Sequence, residues 1–150
     1  MKISPNKRFF EELADEVRDK IQVSAQKGED YKGDKFDKYT SNYETKKRQG
    51  KATPKGQSIA SRSTKPDLTL TGSMWRNMSA KGGKDFAEVG WTSKQQAYKV
   101  QGNIENNRII FNEDSVHPDV EEQIQLMFKK EVRKNIKRSI PKSRTIRISK

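Results

Sequence analysis

The segment Asp67–Trp91, DLTLTGSMWRNMSAKGGKDFAEVGW, decides the reading of the fold. Its apolar lead-in ends at Leu70, and Thr71-Gly72 then makes a corner. Thr71 suits a capping position, because its hydroxyl can accept from a free helical N–H, and Gly72 adds no Cβ bulk there. Met74, Trp75 and Met78 follow at three- and four-residue spacing, which predicts one turn of amphipathic helix. Strands are expected near Asn77–Lys81 and Asp85–Trp91. Between them, Gly82-Gly83 is read as the source of the positive φ that a hairpin turn needs. The segment holds no evident catalytic group and reads as scaffolding for assembly.

Upstream, residues 4–27 read as a long helix. Ser4 is a good N-cap and Pro5 a good first residue. Phe10, Leu13, Ala14, Val17, Ile21 and Ala25 trace one face, and Gly28 is a natural stop. Acid early (Glu11, Glu12, Asp15) and base late (Lys20, Lys27) match the helix dipole. Tyr31, Phe36, Tyr39 and Tyr43 then punctuate a polar stretch. Tyrosines among lysines can stack bases, but they more often anchor a loop to its own domain or to a neighbour. Ser41 is expected to cap a short helix through Arg48, ended by Gly50. Residues 50–66, GKATPKGQSIASRSTKP, have loop chemistry and are read as an insertion able to order against a neighbouring subunit.

Downstream, Thr92-Ser93 is expected to cap a short helix over Lys94–Gln101, with Ala97, Tyr98 and Val100 as its apolar content and Gly102 as its end. Arg108-Ile109-Ile110-Phe111 reads as a buried strand. The last helix begins at Pro118. Val120, Ile124, Met127, Phe128, Val132, Ile136 and Ile140 recur on one side, and Lys129, Lys130, Arg133, Lys134, Lys137 and Arg138 cover the other. Residues 141–150 form a basic arm containing Arg144 and Arg147. There Ile146 and Ile148 alternate with polar residues, as in a loose arm or a strand added to a neighbour's sheet. The expected fold is therefore α+β: a small, mostly antiparallel sheet on two long helices, with a single domain over 1–140.

Composition sharpens this reading. In 150 residues only 30% are hydrophobic and 35% are charged, a thin supply of core against the ~45–50% apolar content of ordinary domains. Stability is therefore expected to come partly from identical neighbours. The net charge of +12 and pI of about 9.9 attract nucleic acid or acidic protein surfaces. No cysteine is present, which excludes disulfides and thiolate metal sites. No apolar run approaches the ~20 residues of a membrane span, and MKISPNKRFF lacks a signal-peptide core, so use in the cytoplasm or in a particle assembled there is expected.

Side chains for chemistry are sparse. His117, the single histidine, stands beside Pro118 and is read as a helix-start residue, since no nucleophile is evidently paired with it. Glu113, Asp114 and Asp119 read as charge complementing the last helix. Glu29, Asp30, Asp34 and Asp37 interleave with Lys32, Lys35 and Lys38, as in a solvated loop. No phosphate-loop motif occurs. Neither enzyme activity, a metal nor a cofactor is expected.

The order Tyr39…Tyr43…Lys46-Lys47, Leu70-Thr71-Gly72-Ser73-Met74…Asn77-Met78, Glu88-Val89-Gly90-Trp91, Ala97-Tyr98 resembles the virion morphogenesis family of tailed bacteriophages, the tail-completion and neck proteins. The resemblance spans about residues 31–138. Met74 stands where the family has leucine, and Asn77-Met78 where it has serine-isoleucine. Two further family segments are reduced to Lys99–Gly102 and Arg108–Phe111. The resemblance implies a non-enzymatic virion protein of the head–tail junction, a neck, tail-completion or tail-terminator part. It also implies a ring, often a hexamer, that meets connector and tail-tube proteins, with positive charge able to face packaged DNA or an acidic partner ring. Leu70, Thr71, Gly72, Met74, Trp75, Met78, Val89 and Gly90 are its scaffold motif. The basic residues of the last helix and arm are the surface facing DNA or a partner ring.

Overall fold

The structure, a computed structural model, describes residues 5–53, 56–112 and 114–139. The described fold is α+β: α1 (Lys7–Gln26), α2 (Ser41–Arg48), α3 (Ser73–Arg76), β1 (Met78–Gly82), β2 (Ala87–Trp91), α4 (Lys94–Glu105) and α5 (Pro118–Ser139). Ser4, Glu113, Ile140 and the whole arm with Arg144 and Arg147 lie outside the described residues.

Helix α1 is the central element. The hairpin packs on it, and α5 packs on it as well. Asn6 rather than Ser4 caps α1, its side chain accepting from the Phe9 N–H at 3.0 Å, which leaves Pro5 outside the helix. The first turn carries no acid and the last no base, so the expected dipole match is absent from the ends of α1. Phe10, Leu13, Ala14, Ile21 and Ala25 are buried as predicted, and Phe9 joins them.

Burying both sides of α1 produces two clusters. Ile21, Ala25, Phe36, Met74, Trp75, Met78 and Val120 form the larger. Phe9, Phe10 and Leu13 meet Met127 and Phe128 in the smaller, where the Phe9 and Phe128 rings cross edge to face at 4.9 Å. On α5 the apolar stripe is buried only in its first half. Val132 and Ile136 are 40% and 43% exposed, whereas Glu131 is buried.

β1 and β2 pair antiparallel with Met78 opposite Trp91 and Gly82 opposite Ala87. The expected turn chemistry is corrected here. Neither Gly82 nor Gly83 has positive φ. Their lack of a side chain serves close approach instead: a Cβ on Gly82 would lie 2.2 Å from the Glu11 nitrogen, and one on Gly83 would meet the Phe86 ring. Glycine thus lets the tip of the hairpin press against the start of α1.

Four further expectations fail. Arg108–Phe111 is not a strand, and the described sheet has two strands only. Ile110 is buried there and the Tyr31 N–H donates to the Ile109 carbonyl at 3.0 Å, but no ladder forms. Gly102 does not end α4, which runs on to Glu105. Its buried side chain is Gln96, while Tyr98 is 76% exposed. Thr40, not Ser41, caps α2, accepting from the Tyr43 N–H at 3.4 Å.

The two glycine environments yield opposite expectations. Gly82→Ala must displace α1 backbone and should destabilise by about 1–3 kcal/mol or more. Gly102→Ala has open space around it and should stabilise by about 0.5–1 kcal/mol through helix propensity. Urea midpoints of the two variants provide the check.

Candidate functional site

The scaffold motif is built on a buried ion pair. Lys47 is fully buried, and its ammonium lies 2.6 Å from Asp67 Oδ1. Ser61 Oγ donates to the other carboxylate oxygen, and the Thr69 N–H donates to Oδ1 at 3.0 Å. The Tyr39 ring stands between two cations, with Lys47 at 5.0 Å and the Arg108 guanidinium at 4.9 Å from its centroid. Its hydroxyl accepts from the Leu68 N–H at 3.1 Å. Arg108 in turn donates to the Asp37 and Lys38 carbonyls. Leu68 is held at φ +50°, a conformation that β-carbon sterics disfavour.

From this node the chain runs into the Thr71-Gly72 corner. Gly72 is the N-cap of α3, at φ +72° and with no side-chain cap, so its role is a left-handed backbone rather than small size alone. Thr71 Oγ1 lies 3.4 Å from the Ser73 nitrogen, at the long limit for a capping hydrogen bond. Met74, Trp75 and Met78 are buried as predicted. Both tryptophans satisfy their indole N–H groups: Trp75 donates to Thr69 Oγ1 at 2.9 Å and Trp91 to the Met74 carbonyl at 2.8 Å. Trp91 also stacks on Phe111 at 5.8 Å, so Phe111 packs in the core without being in a strand.

Two concavities flank this scaffold. A groove of about 570 Å³ lies between Tyr39, Tyr43, Leu70, Met74, Lys99 and Asn103. A smaller apolar cleft of about 290 Å³ separates β2 from α4, lined by Val89, Gly90, Val100, Ile104 and Phe111. The scaffold motif is therefore split, with Leu70–Met74 at the groove and Val89-Gly90 at the cleft.

The basic residues of α5 do share a surface. Lys129, Lys130, Arg133, Lys134, Lys137 and Arg138 are all exposed. Among the described residues only Lys134 of these forms an ion pair, with Glu131 at 3.1 Å. Apolar Leu126 is exposed on the same helix. This surface is separate from the groove, which no residue of α5 lines, and α5 packs on α1.

The acidic loop is an ordered turn. Asp30 Oδ1 accepts from the Lys32 and Asp34 N–H groups, and Lys35 pairs with Glu29 at 2.7 Å. That hydrogen bond holds Glu29 below the usual carboxylate range against a smaller opposing effect of burial. His117 is a helix-start residue as read from sequence. Its Nδ1 accepts from the Asp119 N–H at 3.1 Å, and its buried Nε2 faces Glu29 at 3.4 Å. No group of three or more metal-ligating side chains occurs among the described residues, and no described helix is long and apolar enough to cross a membrane.

Sequence reasoning placed Tyr39 and Tyr43 as anchors, and Tyr39 does anchor Leu68. It missed Lys47, Asp67 and Arg108. The loop over residues 50–66 is tied to its own domain in part, with the Ala60 N–H donating to the Leu70 carbonyl at 2.7 Å.

Comparison with known proteins finds no matching family model, no matching curated protein and no matching solved structure.

Two measurements probe the node. Asp67→Ala strands a buried ammonium and should cost about 3–5 kcal/mol in urea unfolding. Burial, and then the negative charge of Asp67, push the Tyr39 phenol well above the ordinary tyrosine range, and Tyr43 rises for the same reasons. A raised phenol contributes stability that is complete below the unfolded-state value of about 10 and is lost as pH climbs through the folded-state value. Urea midpoints between about pH 8 and about pH 11 should therefore fall, and fall less in Tyr39→Phe.

Proposed function

We propose that this chain is a structural virion protein of the phage head–tail junction, a neck, tail-completion or tail-terminator part, working as a ring between connector and tail. Several features support assembly as its purpose. The core is small, a two-stranded hairpin is its whole described sheet, and Val132 and Ile136 stand exposed among the cations of the second half of α5. An isolated two-stranded sheet is marginal by itself. The single observation that carries the reading is this surplus of unpaired binding surface, the hairpin edge together with the apolar end of α5. The position in the particle rests on the resemblance of the Leu70–Met74 and Val89-Gly90 motifs. On this reading the protein is non-enzymatic, is made in the host cytoplasm and ends in the virion.

A ring requires heterologous contacts that close. Two surfaces of one subunit must then meet two different surfaces of its neighbours. Mass measurement and electron microscopy of the purified protein, alone and with connectors or tails, test this. Rings, alone or on the partner, are expected, and a persistent monomer in every mixture would contradict the reading.

A second reading is favoured by one observation, the run of exposed, mostly unpaired cations on α5: a free nucleic-acid-binding protein. It predicts DNA or RNA affinity that falls steeply with salt. The joint variant Arg133→Gln, Lys134→Gln, Lys137→Gln, Arg138→Gln separates the two. Loss of nucleic-acid binding together with function, rings being absent, would favour the second reading; intact rings with weakened DNA contact would favour the first.

A further inference from the structure

We propose that the groove beside the Thr71-Gly72 corner receives the C-terminal residue of a partner polypeptide that ends in a large apolar side chain. The terminal carboxylate lies between Arg76 and Lys99, the last amide N–H donates to Gln96 Oε1, and the side chain enters the apolar part of the groove. This goes beyond the ring reading and does not depend on it.

The polar half of the site is a concavity of about 460 Å³ that adjoins the groove of about 570 Å³. Thr71, Ser73, Gln95 and Lys99 line both, so the two are chambers of one site. Two cations converge there. The Arg76 guanidinium lies over Gly72, where a Cβ would stand 2.8 Å from Nη1, and it donates to the Thr71 carbonyl at 3.0 Å. One residue further on, Ser73 Oγ accepts from the Lys99 ammonium at 2.9 Å. Arg76 and Lys99 are exposed, and neither forms an ion pair among the described residues. No aspartate or glutamate among the described residues lines either chamber. Two like charges held close by neutral oxygens alone attract an anion. The start of α4 adds to this field, since its first turn holds no acid and its N-cap Ser93 makes no side-chain cap.

Gln96 supplies an acceptor beside the cations. It is 5% exposed and lines the polar chamber, and its Oε1 has no hydrogen-bond partner. A buried acceptor without a donor is costly, so a ligand N–H is worth more there than at an exposed oxygen. Gln96 and Lys99 are one turn apart on α4, so a single helical face presents the acceptor and a cation together.

The third demand is apolar. Past Ser73 and Lys99 the groove is walled by Tyr43, Leu70 and the buried Met74. The site therefore asks for an anion, an N–H donor and an apolar group around the Ser73–Lys99 contact. The last residue of a polypeptide carries all three on one Cα: carboxylate, amide nitrogen and side chain. A simple aromatic or fatty acid lacks the donor, and a nucleotide sets a polar sugar against an apolar wall. Capture of a terminal carboxylate is a recurring mode of peptide recognition.

N-acetyl-L-phenylalanine is a minimal probe of this chemistry. Titrated into the isotope-labelled full-length protein, it should shift the amide resonances of Ser73, Arg76, Gln96 and Lys99 and leave those of α5 in place. N-acetyl-L-phenylalaninamide, which lacks the charge, should bind about tenfold or more weakly, and hydrocinnamate, which lacks the N–H, about threefold to tenfold more weakly. Gln96→Leu removes the acceptor, so this variant should bind N-acetyl-L-phenylalanine and hydrocinnamate equally. An unchanged ratio would mean that Gln96 has a structural role only and would overturn its part in the site. Arg76→Gln with Lys99→Gln alters exposed side chains, keeps the test open should Gln96→Leu fail to fold, and should abolish the preference for acid over amide. No shift at the site, equal binding of acid and amide, or tighter binding of inorganic phosphate or adenosine monophosphate would overturn the proposal.

Discussion

The Lys47–Asp67 pair is the constraint on which the rest of this fold depends. It joins α2 to the start of the segment that holds every scaffold residue. A single charge at either position is tolerable inside the protein only because its partner and further hydrogen bonds are present. Asp67 is engaged four ways: by Lys47, by Ser61, by the Thr69 N–H, and through its carbonyl by Thr69 Oγ1. Thr69 then accepts from Trp75, and the Trp75 carbonyl accepts from Gln22 of α1. One connected set of polar contacts thus leads from a surface helix to the central helix. It also holds Leu68 in its disfavoured backbone conformation, at a cost of roughly 1 kcal/mol by general sterics.

This arrangement explains how a chain so poor in apolar residues forms a defined core. Aromatic groups do much of the packing, and both indole N–H groups and the Tyr39 hydroxyl have named partners. Trp91 stacks on Phe111 and meets Trp75 at a tilt, which ties the hairpin to α3 and to the Ile110 segment. What the core lacks is breadth. Two small clusters share α1, one sheet edge is open, and the far end of α5 has no apolar covering among the described residues. Burial by a neighbour is the physical remedy for each of these, because small domains bury proportionally less of their surface.

Elements governed by local pattern were legible in the sequence. The periodicity of Phe10–Ala25 and Val120–Phe128 marks the faces that meet, and the Met74-Trp75-Met78 spacing marks a buried turn. The errors arise where tertiary contacts override local signals. Lys47 lies in a lysine pair within a strongly polar helix, and nothing in its spacing distinguishes it from Lys46, which is exposed. Its burial depends on Asp67, twenty residues away. Gly102 looks like a helix stop, yet α4 continues because Asn103 and Asn106 side chains bond back to the Lys99 and Gly102 carbonyls. Arg108–Phe111 has strand composition, but Arg108 is drawn to the Asp37 and Lys38 carbonyls and Phe111 to Trp91. Those contacts hold the segment in place without a ladder. The groove itself was not legible, since α2, the 68–74 segment and α4 are joined by contacts distant in sequence, Lys47 with Asp67 and Lys99 with Ser73.

The central claim is that copies of this chain complete one another's burial. Folding coupled to association makes thermal stability depend on protein concentration by mass action. The most direct measurement is the melting temperature of the purified protein over a hundredfold range of concentration. The account predicts a midpoint that rises steadily with concentration. A midpoint that stays constant across the range, with a monomer mass throughout, would contradict it.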